Sequence, residues 1–274
     1  MEAAVRTKRA RLETLLEGLG RVVVAYSGGV DSTLLAAMAH LVLDDRALAV
    51  TAVSPSLATR ERAAAAALAR RYGWNHREIA TKEVDRAEYA RNDPDRCYWC
   101  KAELFEVLGP LAAELGAAIL VGTNADDLGD HRPGLRAARA SGIHSPLAAA
   151  GLTKADVRTI SRDLGLPTTD KPASPCLASR FAYGVTVTEE GLRRVDEAEE
   201  VIRALGFEEL RVRDHGDLAR IEVPSERIDE LVDRRDEVER ALRQLGFTYV
   251  TVDLTGFRSG AMNEVLGPPG LRSR

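Results

Sequence analysis

The sequence predicts an α/β fold: a parallel-sheet domain followed by a second, smaller α+β domain. Two observations carry that expectation. Through the first part of the chain, short apolar β-branched runs alternate with segments of helical period, the pattern of a parallel sheet covered on both faces. From position 170 the alternation stops, and the remaining elements follow in the order α-β-β-α-β.

Residues 5–19 place Leu12, Leu15, Leu16 and Leu19 at helical spacing. The run at 21–26 reads as a strand, SGGVDS at 27–32 as a tight glycine turn, and TLLAAMAHLVL at 33–43 as a helix. A second cycle follows, with a strand at 47–53, a loop at 54–56 and an alanine-rich helix at 59–72. Residues 76–80 predict a third strand, 101–115 a helix, and 118–121 a fourth strand ending at Gly122.

The segment 170–184, DKPASPCLASRFAYG, is rich in Pro, Ser and Gly and has no period, so it reads as a junction or functional loop. Thr188 caps a helix running to 205; strands are expected at 210–213 and 218–223, a Ser225-capped helix at 225–245 and a closing strand at 247–254. A strand at 185–187 would make this part ferredoxin-like. The expected division is therefore a parallel-sheet domain at 1–170, a junction or functional loop at 171–184, and a small α+β domain at 185–274.

Composition excludes several classes. The 274 residues are 45% hydrophobic and 29% charged, which suits a folded soluble chain with a substantial core. With 38 basic against 42 acidic residues the net charge is -4, so no cationic surface for nucleic acid or anionic membrane is expected. No apolar stretch approaches a membrane span, and the first residues lack a signal-peptide core, so a cytoplasmic location is expected. Three cysteines in that setting argue for reactive or ligating thiols over a disulfide framework.

The chemistry is concentrated in a few motifs. Gly28 and Gly29 let the backbone turn tightly and approach a ligand, and N–H groups at a helix start favour phosphate oxygens. Ser27 and Ser32 add hydroxyl donors, Val30 begins the helix, and Asp31 suits a magnesium ion or a loop N–H. The string is neither a Walker A loop, since its lysine is missing, nor a dinucleotide fingerprint; an ordinary serine-capped turn is the alternative. Ser54 and Arg60, after the second strand, are adenosine candidates. Gly122, Thr123, Asn124 and Asp127 hold the corresponding place after the fourth strand, with Asp126 beside them. Arg139 and Lys154 are candidates to offset phosphate charge.

Cys97 and Cys100 form a C-x-x-C pair, and Cys176 stands alone in SPCLAS at 174–179. The spacing admits a redox dithiol, half of a zinc site completed by His131, His144 or His215, cluster ligation, or unlinked thiols. Past Cys176, Ser179 and Arg180 follow directly; Arg211 and Arg213 alternate on one strand and so share a face. Glu200 on the preceding helix reads as a surface carboxylate. Arg258 in the tail suits the pocket or a subunit contact, whereas Phe257 and Met262 read as packing residues.

SGGVDS resembles the signature of the PP-loop (adenine nucleotide alpha hydrolase-like) ATP pyrophosphatases, which include GMP synthetase, asparagine synthetase and tRNA-thiolating enzymes. The resemblance implies ATP cleaved between its α and β phosphates, with AMP passed to a substrate oxygen. Over nearly its whole length the chain is similar to the LarE family, through SGGVDS at 27–32, RCYWCK at 96–101, GTNADD at 122–127 and SPCLASRFAYG at 174–184. RVRDHGDLARIEV at 211–223 and DLTGFRSGAMNE at 253–264 continue the match. That resemblance implies an ATP- and Mg2+-dependent sulfurtransferase of nickel-pincer nucleotide synthesis. It would adenylylate a carboxylate of pyridinium-3,5-biscarboxylic acid mononucleotide and convert it to a thiocarboxylate. Asp31, Ser32, Arg180, Glu200 and Cys176 would be catalytic, and Ser179, Arg180, Arg211, Arg213 and Arg258 would bind substrate. Family members obtain sulfur either from the cysteine matching Cys176 or from a [4Fe-4S] cluster; Cys97 and Cys100 beside Cys176 imply the cluster version. A homo-oligomer and a sulfide donor are also implied. The alternatives are an ammonia-using synthetase, a tRNA thiolase, and a nucleotide sensor without turnover.

Overall fold

In the computed structural model, which describes residues 1–129 and 133–258, the apolar runs of the first part pair into one parallel sheet. Its strands are β1 (Val22–Ala25), β2 (Ala47–Val53), β3 (His76–Ala80) and β4 (Ala118–Val121), in the order β3-β2-β1-β4. The residue alternation of a pleated strand sends side chains to both faces. Val22, Val24, Ala47, Ala49 and Leu120 enter one core, with Leu12 and Leu16 of α1 (Ala3–Leu19) and Leu34 and Leu35 of α2 (Val30–Leu43). Val23, Leu48, Val50 and Val121 enter the other, against Leu104, Phe105 and Leu108. α3 (Thr59–Arg71) joins β2 to β3.

Leu104, Phe105 and Leu108 belong to α4 (Arg96–Leu115), which starts five residues before the position 101 expected from the apolar period, so Cys97 and Cys100 lie in its first two turns. Apolar periodicity locates the aliphatic face of a helix, and the first residues here, Arg96 to Cys100, carry none of that aliphatic period. α5 (Lys154–Asp163) opens with a reciprocal capping box between Thr153 and Asp156 and packs Val157 and Ile160 into the α1–α2 core.

The chain divides into two units: Met1–Arg86 with Asp95–Ser174, and Ala87–Pro94 with Pro175–Arg274. In the second unit α6 (Glu189–Ala204), α7 (Ile228–Asp233) and α8 (Arg235–Gln244) pack on a sheet of β5 (Arg211–Asp214), β6 (Leu218–Glu222) and β7 (Tyr249–Val252). β5 and β6 are antiparallel, β6 and β7 parallel. Val212, Ala219 and Ile221 enter a core with Ala198, Ile202, Leu231, Leu242 and Phe247, leaving Arg211, Arg213, Arg220 and Glu222 on the other sheet face by strand alternation.

Two expectations for this unit are corrected. The stretch 185–187 forms no strand; Phe181 makes a single bridge to Asp214, and the Val187 N–H is taken by the carbonyl of Ala90. The helix expected at 225–245 is broken at Arg234, because 233–237 is a charged run with no apolar residue to bury across the break. It is preceded by a short turn at Ser225–Arg227 whose cap position is Pro224, with no Ser225 cap bond.

Candidate active site

The order β3-β2-β1-β4 puts a topological switch point between β1 and β4, where chain connections leave in opposite directions and a crevice opens beyond the strand ends. SGGVDS follows β1 and GTN follows β4, so both motifs flank that crevice. Gly28 takes φ +72°, a left-handed conformation that a side chain disfavours, and Gly29 is extended at the N-cap of α2. The hydroxyls of Ser27 and Ser32 lie 3.0 Å apart, and Ser32 Oγ accepts the Ser27 N–H and donates to the Gly29 carbonyl. The loop is thus closed on itself at the helix start, where first-turn N–H groups lack intrahelical acceptors.

Two close approaches fix the loop from outside. A Cβ at Gly122 would stand 2.8 Å from Ser32 N and 3.0 Å from Asp31 C, so glycine there lets β4 end against the start of α2. A Cβ at Gly28 would stand 3.0 Å from that of Ala65 in α3. Tyr26 Oη donates to the Ala65 carbonyl at 3.2 Å, and burial pushes its phenol up to about 12, so it remains a donor.

Asp31 receives Asn124 Nδ2 at 3.2 Å and Lys154 Nζ at 2.5 Å. Asn124 is itself ordered: its N–H goes to Asp127, and its Oδ1 accepts the N–H groups of Asp126 and Asp127. Asp126 then accepts the Lys154 N–H at the start of α5. Of the acid pair, buried Asp127 orders the loop while exposed Asp126 ties it to α5. The half-buried Asp31 carboxylate fits a magnesium ion by donor chemistry, whereas Asn124 turns its amide nitrogen and not its oxygen toward it. Thr123 contributes its carbonyl to Ala148 N–H. Arg139 falls on the short helix Pro133–Ala140.

After β2, Ser54 and Ser56 both direct hydroxyls to Glu83, Ser56 at 2.6 Å. Arg60 is exposed in the first turn of α3. Glu83, buried and accepting hydroxyls, was missed in the sequence because nothing local distinguishes it from a surface acid. Lys171 and Glu61 were missed for the same reason: Lys171 Nζ donates to the Gly28 carbonyl at 3.1 Å and to Glu61 at 2.6 Å.

Cys97 is exposed and Cys100 half-buried, three residues apart and therefore on one side of α4. Both belong to the first unit, as does His144, whereas Cys176 and His215 belong to the second; His131 lies outside the described residues. Among the described residues no group of three or more His, Cys, Asp or Glu side chains is gathered as a metal site.

In the second unit Cys176 precedes a short 3-10 turn, Leu177–Arg180, closed by Ser179 N–H to the Cys176 carbonyl at 2.9 Å. Arg180 is 2% exposed; its Nη1 donates to the carbonyls of Pro175 and Cys176 and to Ser179 Oγ, while Nε and Nη2 grip Glu199 at 2.9 and 3.1 Å. Arg213, also buried, holds Glu222 at 2.9 and 2.7 Å and donates to the Ser179 carbonyl at 3.1 Å. Glu200 is exposed and paired with Arg203; it is the adjacent Glu199 that turns inward. The signal was present, since Glu199 lies seven residues after Leu192 and three before Ile202 on the apolar stripe of α6.

Burial would raise the Glu199 carboxyl, but Arg180, Arg211 and Arg203 hold it below the usual carboxylate range. Arg211 is pushed down to about 10, by burial first and then by the charge of Arg180. Its guanidinium lies 5.0 Å from the centre of the Phe257 ring. Arg180, Arg203, Arg211 and Arg213 around Glu199 and Glu222 leave an excess of positive charge, which suits an anion. Arg258 donates weakly to the Gly256 carbonyl at 3.5 Å; Met262 lies outside the described residues.

The family model for asparagine synthase matches residues 13–103, the part that carries the glycine loop. With the sheet order and the crevice at β1 and β4, it places the chain in the PP-loop class of ATP-using enzymes. An uncharacterized protein of Synechocystis is 46% identical over 265 residues, covering 96% of this chain and 99% of the relative. The pyridinium-3,5-bisthiocarboxylic acid mononucleotide synthase of Lactiplantibacillus plantarum is 42% identical over 266 residues, 96% of each chain. An uncharacterized protein of Methanocaldococcus jannaschii is 30% identical over 87% of this chain and 91% of its own. The chain belongs to the LarE family. No helix among the described residues is long and apolar enough to cross a membrane.

Proposed function

We propose that this enzyme is an ATP-dependent sulfur transferase acting on pyridinium-3,5-biscarboxylic acid mononucleotide in nickel-pincer nucleotide synthesis. The observation that carries the proposal is the full-length identity to a relative named for the corresponding bisthiocarboxylic acid mononucleotide.

Ser27, Gly28, Gly29, Val30 and Ser32 would hold the β and γ phosphates at the start of α2. Ser54 and Arg60 would contact adenosine, and Gly122, Thr123, Asn124 and Asp127 the ribose side. Asp31 would hold the magnesium ion, which when bound offsets negative charge on the transferring phosphate. A substrate carboxylate oxygen attacks the α-phosphorus, the bond to the bridging oxygen breaks, and pyrophosphate leaves. The carboxylate is already ionised at neutral pH and needs no general base. A sulfur nucleophile then adds to the acyl carbon of the mixed anhydride, and AMP departs with the electron pair of the C–O bond.

On the second unit, Ser179, Arg180, Arg211, Arg213 and Arg258 would serve the anionic substrate, with Glu200 near it and Cys176 at the sulfur step. The presence of three cysteines, where the single-cysteine version needs one, favours a [4Fe-4S] cluster, which Cys97, Cys100 and Cys176 would hold and which when bound would offer an open iron for sulfide. Without it, the Cys176 thiolate would form a thioester, and loss of the Cα proton with cleavage of Cβ–Sγ would release the thiocarboxylate and leave dehydroalanine. A homo-oligomer and a sulfide-supplying partner complete the proposal.

The test incubates the protein with Mg-ATP and the biscarboxylate mononucleotide under anaerobic conditions, measuring pyrophosphate, AMP and the mass of the nucleotide. Thiocarboxylate formation supports the reading; pyrophosphate release with no change in the nucleotide would sink it. Iron and acid-labile sulfide, assayed alongside, separate the two sulfur sources.

A further inference from the structure

Glu61 sits one helical turn before Ala65 on α3, the helix whose Ala65 packs against Gly28. Its carboxylate gathers two groups from the segment that leads to Cys176: Lys171 Nζ at 2.6 Å and Ser174 Oγ at 3.0 Å. The same Lys171 ammonium is 3.1 Å from the Gly28 carbonyl, so a cation is stationed at the glycine loop. That loop has no lysine of its own, unlike a Walker A loop.

We propose that Lys171 is a further nucleotide-binding residue that contacts the β or γ phosphate of ATP, and that Glu61 holds it in readiness until the nucleotide arrives. The inference rests on the glycine loop being the ATP site. Lysine suits the role: an ammonium on a four-carbon stem carries three rotatable donors and changes partners without moving the backbone. A triphosphate at the loop presents more negative charge than one carboxylate, so it draws Lys171 from Glu61. Ser174 is held by the same carboxylate and lies two residues before Cys176 in the chain.

The experiment measures ATP and AMP affinity by calorimetry for the full-length wild type, Lys171→Met, Lys171→Arg and Glu61→Gln. Lys171→Met should weaken ATP binding about ten- to a hundredfold, the worth of a hydrogen bond to a charged group, and leave AMP binding unchanged. Lys171→Arg should restore most of the loss, and Glu61→Gln should bind ATP at least as tightly as wild type. Unchanged ATP affinity in Lys171→Met overturns the proposal. So does an equal loss of ATP and AMP affinity, or a Glu61→Gln loss matching that of Lys171→Met, since both would mark a structural brace. A wild type that binds AMP and ATP equally weakly would instead fail the reading of the glycine loop itself.

Discussion

Lys154 Nζ lies 2.5 Å from Asp31 Oδ2, joining the first turns of α2 and α5 across 123 residues of sequence. The ammonium faces a carboxylate that also receives Asn124, so the cation is held at the mouth of the crevice. Asp31→Asn keeps both neighbours and the shape but removes the charge that would hold magnesium. Pyrophosphate release should fall about a hundredfold or more, as for loss of one pre-aimed charge-stabilising group, with thermal stability nearly unchanged. Turnover at the wild-type rate would remove Asp31 from the chemistry.

Gly122→Ala places a methyl carbon against the backbone of Asp31 and Ser32, where nothing flexible can yield. Overpacking of this kind costs about 1–3 kcal/mol. The strain falls on the helix start that would bind phosphate, so ATP affinity should drop with stability. Urea unfolding and calorimetry on one preparation check this; normal values of both would show that β4 and α2 can separate.

Cys176→Ala removes a half-buried thiol without touching the glycine loop. Thiocarboxylate formation should stop while pyrophosphate release persists. Loss of both activities together would make Cys176 a structural residue.

Glu199→Gln leaves the buried Arg180 without its counter-charge, and breaking a buried pair costs about 3–5 kcal/mol. The folded Glu199 carboxyl titrates below its ordinary value of 4.5, so its contribution is complete above that value and is lost as pH falls through the lowered folded value. The stability gap between wild type and variant should therefore narrow on acidification below 4.5. A gap independent of pH would show that Glu199 is not ionised in the fold.

Arg211 is half-buried beside Arg180, and its guanidinium stays charged at working pH. Arg211→Gln should weaken binding of the biscarboxylate mononucleotide about ten- to a hundredfold, the worth of a charged hydrogen bond, in calorimetry at neutral pH. Unchanged affinity would remove Arg211 from the substrate site.

Much of the first unit was legible in the sequence because its information is local. A β-branched run, two glycines and a helical period specify a strand–turn–helix with N–H groups aimed at an anion, and the structure has it at Val22–Ala25, Gly28 and α2. Gly122 was legible only as a glycine after a strand; the contact with Ser32 that requires it belongs to β1–β4 pairing. The charge pairs were not legible, since Glu61 meets Lys171 over 110 residues and Arg180 meets Glu199 over 19. Glu200 shows how little displacement matters: one residue along a helix is roughly 100° of rotation, enough to exchange the buried Glu199 for a surface acid.

By itself, then, the sequence determined the strand and helix pattern of a parallel sheet, the glycine loop that opens α2, and the family. Those rest on periodicity and backbone freedom, which neighbouring residues alone dictate. Tertiary structure decided which charges meet: Lys154 with Asp31, Lys171 with Glu61, Arg180 with Glu199 and Arg213 with Glu222. A charged side chain has no local preference that names its partner; only packing of the apolar faces brings the two together and removes the water that would otherwise separate them.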